Sequence, residues 1–155
     1  MLQLNIPIEQ TTILSFLLLI LTNFCFATNA SDTTTIKTHL RIITKTNKSR
    51  NYKNLDQLNK TADYIKSVFS QYSDDVFVQE YTVDGKIYKN VICSFGTENS
   101  KRIIVGAHYD VCGNQEGADD NASGVVGLLE LSRMLKDQKL NQRIDLVAYT
   151  LEEPP

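Results

Sequence analysis

The stretch RIIVGAHYDVCGNQEGADDNASGVVGLLELSRMLKDQKLNQRIDLVAYTLEE, from Arg102 to Glu153, decides the fold class of this chain. It opens on the apolar run RIIVGA and closes on another, RIDLVAYTL, and such runs are typical of strands that are buried on both faces. Between them, NASGVVGLLELSRMLKDQ predicts a helix with a broad apolar face. A strand, a helix and a strand at this spacing indicate a βαβ unit, whose two strands pair in parallel.

The sequence before this stretch predicts two helices and a hairpin. Ile36, Leu40 and Ile43 recur at helical spacing, and a helix of about five turns follows a polar segment. Two β-rich segments, VFVQEYTV and KIYKNVICSF, flank Asp84-Gly85, which is a strong signal for a two-residue hairpin. We therefore expect an α/β fold with a mixed, mainly parallel sheet that is flanked by helices.

Length and composition limit the function classes. The 155 residues suffice for one domain of ordinary size, and 42% hydrophobic with 22% charged residues is typical of a globular protein. A formal net charge of −2 provides no basic footprint for nucleic acid, so we expect no nucleic-acid partner.

Residues 1–30 are predicted to be a signal peptide. The run ILSFLLLILTNFCF, Ile13 to Phe26, is apolar, uncharged and too short to span a bilayer comfortably. Ala27 and Ala30 offer small residues for cleavage, although Met1 to Thr12 lacks the usual Lys or Arg. We expect an exported protein, periplasmic or extracellular, with no stable membrane anchor after cleavage. An uncleaved anchor is the alternative.

The three cysteines give no sign of a disulfide or of a zinc finger. Cys25 lies in the predicted leader, and Cys93 and Cys112 fall on neighbouring segments whose geometry does not favour a bridge. We interpret the latter two as structural residues.

Three points near the ends of the βαβ strands carry groups that suit a divalent metal. His108 and Asp110 end the first strand, Asp119-Asp120 lies in the loop that enters the helix, and Glu152-Glu153 ends the second strand. The βαβ topology brings these points to one edge of the sheet, where ligands of open α/β sheets bind. Imidazole together with carboxylates favours zinc or a similar ion.

This combination also suits hydrolysis by a metal-activated water. One carboxylate can bridge two ions about 3.5–4 Å apart, which together polarise a carbonyl and activate a water. Of two consecutive glutamates, one can ligate while the other takes the water's proton, and Asp110 can orient a ligating His108. Explanations that involve no functional site remain open. Acidic pairs in loops are often only solvated, and Asp120 or Asn121 suits the N-cap of the following helix.

The motifs GAHYD, GADDNASG and YTLEE, in this order, resemble the co-catalytic zinc exopeptidases, which include bacterial secreted aminopeptidases and glutamate carboxypeptidases. Weaker similarity extends upstream to about Arg50 through TADYIKSVF, VFVQEYTV and KNVI. The resemblance implies a three-layer sandwich that cleaves terminal peptide bonds of peptide substrates. Residues 31–155 would be the N-terminal portion of this catalytic domain, truncated at its C-terminus.

The resemblance implies a ligand set for two zinc ions. His108 would ligate one ion, Asp120 would bridge both, and Glu153 would ligate the other. Asp119 would be a neighbour rather than a ligand. A cis peptide bond is implied between Asp120 and Asn121.

Two further roles follow from the same resemblance. Glu152 would be the general base that deprotonates the water, and Asp110 would orient His108 without touching the metal.

The family completes its site with an Asp and a His that lie downstream of the Glu-Glu strand, beyond the last residue of this chain. Each ion would then have two protein ligands instead of the usual three, so we expect little or no activity from these 155 residues. Two alternatives are kept. One is a non-catalytic remnant or binding module that retains the scaffold, and the other is a zinc transferase similar to glutaminyl cyclase.

Overall fold

The computed structural model describes residues 30–98 and 101–154. The predicted leader, except for its last residue, and Cys25 therefore lie outside the described part. The residues from Ser31 onward cluster into one compact unit. In the described ranges, no helix combines the length and the apolar character needed to cross a membrane.

The described residues form the helices and strands that the sequence predicts. They are α1 (Thr33–Thr44), α2 (Leu55–Phe69), β1 (Val76–Val83), β2 (Lys86–Phe95), β3 (Arg102–His108), α3 (Ser123–Leu135) and β4 (Arg143–Tyr149). A short kinked turn, Ala118–Ala122, leads directly into α3.

Local signals account for the first two helices. The Asp32 carboxylate caps α1, because one of its oxygens accepts the backbone N–H of Thr34 at 2.9 Å and that of Thr35 at 3.2 Å. Along α2, Leu58, Ala62, Ile65, Val68 and Phe69 recur three or four residues apart and are all buried against the sheet.

The four strands form one mixed sheet in the order β1-β2-β4-β3. The α/β class and the mixed sheet are thus confirmed, but the predicted excess of parallel pairing is wrong for the described strands. Only β3 and β4, which α3 connects, pair in parallel, whereas β2 is antiparallel to both β1 and β4. The tight turn after β1 accounts for the first antiparallel pair, since a two-residue loop can join only antiparallel strands, and β2 then lies beside β4 in the opposite direction.

The hairpin between β1 and β2 has the predicted two-residue loop. Val83 pairs with Lys86, and the two loop residues Asp84 and Gly85 have φ values of 51° and 73°. A turn with two successive positive φ values matches the twist of the strands that it joins.

The helices pack against alternate residues of the strands and form one hydrophobic core with them. It includes Val91 of β2, Ala107 of β3 and Leu146 of β4. On the opposite side of the sheet, Phe77 and Ile104 are exposed. The described helices therefore cover one face, which accounts for two of the three predicted layers.

Candidate metal centre

The sheet brings the ends of β3 and β4 together. His108 is the last residue of β3 and pairs with Tyr149, the last residue of β4. Because these strands are parallel, Glu152 and Glu153 follow Tyr149 at the same edge of the sheet. The kinked turn Ala118–Ala122 also contacts the end of β3.

Three of the predicted site residues converge on the imidazole of a fourth, His108. His108 Nε2 lies 3.1 Å from Asp120 Oδ1 and 3.6 Å from Glu152 Oε2. One ligand atom from each of His108, Glu152 and Glu153 can be chosen so that all lie within 4.8 Å of one another. The imidazole is buried, whereas the side chains of Asp120 and Glu152 are 69% and 62% exposed. A small ion could therefore enter from solvent.

The two nitrogens of His108 indicate why a cation fits between these groups. Its Nδ1 is buried, lies 3.5 Å from Asp110 Oδ1 and is, among the described buried side-chain atoms, the one without a hydrogen-bond partner. If Nδ1 carries the proton toward Asp110, Nε2 presents a lone pair to the oxygens of Asp120 and Glu152. Lone pairs facing one another require a proton or a metal between them. The donor set of one imidazole and several carboxylates suits zinc.

Asp110 contacts both the imidazole of His108 and the backbone of the two glutamates. This carboxylate is almost fully buried, and besides facing His108 it accepts the backbone N–H of Glu153 at 3.0 Å and that of Glu152 at 3.4 Å. The sequence predicted only the contact with His108. The contacts with the Glu152-Glu153 backbone have no signature in the sequence, because any residue could provide those N–H groups.

In the Asp120 loop, residues 117–122, one side chain faces His108 and the next one caps α3. Asn121 Oδ1 accepts the backbone N–H of Gly124 at 3.1 Å, so this amide serves the start of α3 and the Asp120 carboxylate faces His108. The Asp120–Asn121 peptide bond is cis, as the resemblance implied. Asp119 is exposed, and its backbone carbonyl accepts a hydrogen bond from the Ser123 hydroxyl.

Arg50 is a site residue that the sequence interpretation missed. Its guanidinium is fully buried and donates to four backbone carbonyls. The acceptors and distances are Tyr109 at 2.8 Å, Ile43 at 3.0 Å, Glu116 at 2.7 Å and Gly117 at 3.1 Å. Burial lowers the pKa of Arg50 to about 10, and the nearby Asp110 carboxylate opposes this effect. Arg50 thus ties the end of β3 to the loop that carries Asp120.

The cluster also concentrates negative charge. Burial and then the neighbouring Asp120 carboxylate raise the pKa of Glu153, and the proximity of His108 opposes them. A bound divalent cation would offset the repulsion among these carboxylates.

The described residues include three other histidine or cysteine side chains, and none of them belongs to the cluster. His39 Nδ1 is 2.6 Å from the Tyr64 hydroxyl, where α1 meets α2. Cys93 is buried, Cys112 is exposed, and both are free thiols, which agrees with the prediction that they are unbridged.

Residues 90–154, from β2 to the end of the described chain, match the model of Peptidase family M28. The resemblance to zinc exopeptidases is thus confirmed for the segment that carries the cluster. The chain is also 44% identical over 124 residues to the uncharacterized protein YfbL of Escherichia coli (strain K12), a match that covers 75% of this chain and 38% of that protein.

Two solved structures show the same fold. The Zn-dependent exopeptidase from Parabacteroides distasonis has a TM-score of 0.66 and 26% identity, covering 78% of this chain and 47% of the other. The glutaminyl cyclase of Porphyromonas gingivalis has a TM-score of 0.66 and 25% identity, covering 77% and 45%. The chain therefore spans less than half the length of each of these relatives.

Proposed function

Because residues 90–154 match Peptidase family M28, we propose that this chain carries the metal-binding edge of a zinc-dependent exopeptidase of the aminopeptidase type. The observation that supports this most directly is the convergence of Asp120, Glu152 and Glu153 on the imidazole of His108. The substrates would be peptides, hydrolysed at a terminal peptide bond.

Three side chains would hold the metal. His108 would ligate through Nε2, the nitrogen that faces the carboxylates, and Asp120 and Glu153 would ligate through oxygen. Asp120 would bridge two ions in the complete site. When bound, zinc supplies Lewis-acid chemistry, since it polarises a carbonyl and lowers the pKa of a water.

Glu152 would move the proton. Its carboxylate reaches the cluster yet is largely exposed, so it can contact both a water and a substrate at the sheet edge. It would take a proton from the attacking water and then deliver it to the leaving amine. Asp110 would keep His108 oriented and hold the backbone of the two glutamates in place.

The division of the chain and its location belong to the same proposal. Residues 1–30 would be a signal peptide, and residues 31–155 would be the N-terminal portion of the catalytic domain. The protein would act after export, in the periplasm or outside the cell. The uncharged apolar run from Ile13 to Phe26 supports this proposal.

Glu152→Gln tests the assignment of the base. This change removes the proton acceptor but keeps the shape of the side chain, so zinc affinity should stay within about twofold while the residual hydrolysis of aminoacyl-nitroanilides by the chain falls by about 10²–10⁴-fold. Zinc affinity is measured by competition with a chromophoric chelator. The matched control is Glu98→Gln, an exposed residue that contacts Arg143 at the opposite end of β4 from the cluster. Turnover by the Glu152 variant at the wild-type rate would rule out this role.

Asp120→Asn distinguishes the proposal from a scaffold that has lost its chemistry. Zinc affinity should fall at least tenfold, because the substitution removes a charged ligand from the cluster. A chain that binds no zinc, and whose stability in zinc is unchanged by Asp120→Asn, would be the non-catalytic module instead.

The likeness to a glutaminyl cyclase favours one further assay. Peptides with an N-terminal glutamine are offered to the zinc-loaded chain. Cyclisation without hydrolysis of aminoacyl substrates would assign the chain to the transferase class.

A further inference from the structure

The β1-β2 hairpin reaches the segment that carries Glu152 and Glu153. Since β2 is antiparallel to β4 and Val91 pairs with Ala148, the residues before Val91 lie level with those that follow Ala148. The ladder of paired residues ends at this pair, and beyond it the hairpin contacts the chain through Thr150. Neither the metal cluster nor the proposed mechanism assigns a role to the hairpin.

Every polar group of Thr150 is bound to the hairpin. Its backbone N–H donates to Asn90 Oδ1 at 3.0 Å, and its carbonyl accepts the hydroxyl of Tyr81 at 2.6 Å. Its own hydroxyl oxygen lies 2.7 Å from the Lys89 carbonyl oxygen. Thr150 is buried, so water competes little for these groups. The residue is therefore fixed to the hairpin at three points.

The hydroxyl of Thr150 also contacts Tyr109, the residue that follows His108. The Tyr109 hydroxyl oxygen lies 2.6 Å from Thr150 Oγ1 and 2.6 Å from the Lys89 carbonyl oxygen. Because the carbonyl carries no proton, one hydroxyl donates to it and the other donates to its partner hydroxyl. Thr150 thus ties β2 to the end of β3 as well.

The segment after Thr150 needs such an anchor. Leu151 has φ of 60°, in the left-handed region that residues with a Cβ atom seldom adopt. Such a conformation persists only where contacts on both sides impose it. Beyond Leu151, Asp110 accepts the backbone N–H of Glu152 at 3.4 Å and that of Glu153 at 3.0 Å. The Glu152 side chain is 62% exposed, so its position depends on this backbone and not on packing.

We propose that Thr150 is a positioning residue through which the hairpin sets the place of the Glu152-Glu153 backbone at the metal cluster. Thr150 would touch neither metal nor substrate. The assignment rests on the proposed function, in which the two glutamates are the base and a metal ligand. Without the Thr150 hydroxyl, Leu151 would relax toward an ordinary conformation, and the two carboxylates would move away from His108.

A purely structural role is the competing explanation. Thr150 would then only close the end of the sheet, and its loss would lower stability without changing the cluster. The two roles differ in zinc affinity. A structural residue leaves the affinity unchanged wherever the fold persists, whereas a positioning residue lowers it in a folded chain.

Thr150→Val and Thr150→Ser separate the two roles. Valine keeps the shape of the side chain and loses the hydroxyl, whereas serine keeps the hydroxyl and loses the methyl group. Competition with a chromophoric chelator should show zinc affinity at least about fivefold lower for Thr150→Val and within about twofold of wild type for Thr150→Ser, because the hydroxyl bonds fix the segment. Wild-type affinity in Thr150→Val, or equal losses in both variants, would overturn the proposal.

Two tyrosines of the hairpin provide a matched pair. The Tyr81 hydroxyl donates to the Thr150 carbonyl, whereas the Tyr88 hydroxyl donates to the Tyr52 carbonyl at 3.1 Å. Each change to phenylalanine removes one such bond and keeps the ring, so both should lower the urea midpoint. Tyr81→Phe should also lower zinc affinity at least about threefold, and Tyr88→Phe should leave it unchanged. Equal zinc affinities in the two variants would contradict a positioning role.

Hydrogen exchange measures the position of the backbone without any metal. In the chain treated with EDTA, Asp110 protects the amide of Glu153, and the amide of the buried Leu146 on β4 is the internal reference. Thr150→Val should speed exchange at Glu153 at least about fivefold more than at Leu146. Equal acceleration at both amides, or none, would overturn the proposal. If the wild-type chain binds no zinc, the proposed function fails, and the exchange ratio still decides whether Thr150 positions the two glutamates.

Discussion

Arg50 stabilises the candidate metal centre without touching any side chain that would ligate a metal. The buried positive charge of Arg50 lies near the Asp110 carboxylate. The four hydrogen bonds of its guanidinium all go to backbone carbonyls. Two of those carbonyls, at Glu116 and Gly117, lie just before Asp120. The position of Asp120 relative to His108 therefore depends on Arg50.

Arg50→Met should destabilise the fold severely. Methionine keeps most of the length of the side chain but leaves four carbonyls without their donor, so we expect the free energy of unfolding to fall by about 3 kcal/mol or more. Urea denaturation measures this change. Arg41→Met, at an exposed position on α1, is the matched control and should change the free energy by less than about 0.5 kcal/mol. Equal effects of the two changes would show that the carbonyl contacts of Arg50 contribute nothing.

The Asp120 loop is the element that links β3 to α3. Gly117 opens it with φ of 54°, and a Cβ atom there would collide with Val111 and with the Asp120 carbonyl. Gly113 has nearly the same φ, 55°, but open space around it. The two glycines share a backbone conformation and differ in crowding.

Comparing Gly117→Ala with Gly113→Ala isolates this crowding. Both changes incur the cost of a left-handed alanine, about 1–2 kcal/mol, and only Gly117→Ala also forces the loop apart, at about 1–3 kcal/mol more. We expect Gly117→Ala to lower zinc affinity at least tenfold and Gly113→Ala to leave it nearly unchanged. Urea denaturation and chelator competition measure the two quantities. Equal losses of zinc affinity would mean that the close packing at Gly117 does not position Asp120.

The sequence predicted those parts of the site that follow from periodicity. Two apolar runs and the helix between them define a βαβ unit, which is enough to bring His108, Asp120 and Glu153 to one edge. The contacts of Arg50 and the backbone contacts of Asp110 escaped prediction, because their partners are backbone groups that every residue possesses. The place of the hairpin beside Glu153 also escaped, since it depends on the order of the strands in the sheet.

At the scale of the whole molecule, the two described cysteines allow the burial of the core to be tested. Cys93 lies on β2 within the core, and burial raises the pKa of its thiol to about 12, whereas Cys112 is exposed in the loop after β3. Only the thiolate reacts with disulfide reagents. Cys93 should therefore be inert in the folded chain.

Thiol labelling at pH 8 tests this arrangement in a chain that carries Cys25→Ser. Cys112 should react at once and Cys93 at least about 10³-fold more slowly, because the thiolate fraction falls tenfold for each unit by which the pKa rises. Both thiols should react rapidly in concentrated urea, which serves as the control. Fast labelling of both thiols in the folded chain would mean that β2 is not buried as described.

The strand order also bears on how the protein is made. A polypeptide leaves the ribosome N-terminus first, so the β1-β2 hairpin can form as soon as residue 95 has emerged. Among the described strands, β3 has no neighbour until residues 143–149 follow, because β4 lies between it and β2. Throughout that interval His108 and Asp120 are already synthesised while Glu152 and Glu153 are not. The proposed zinc site is therefore completed late in biosynthesis, when the central strand β4 arrives.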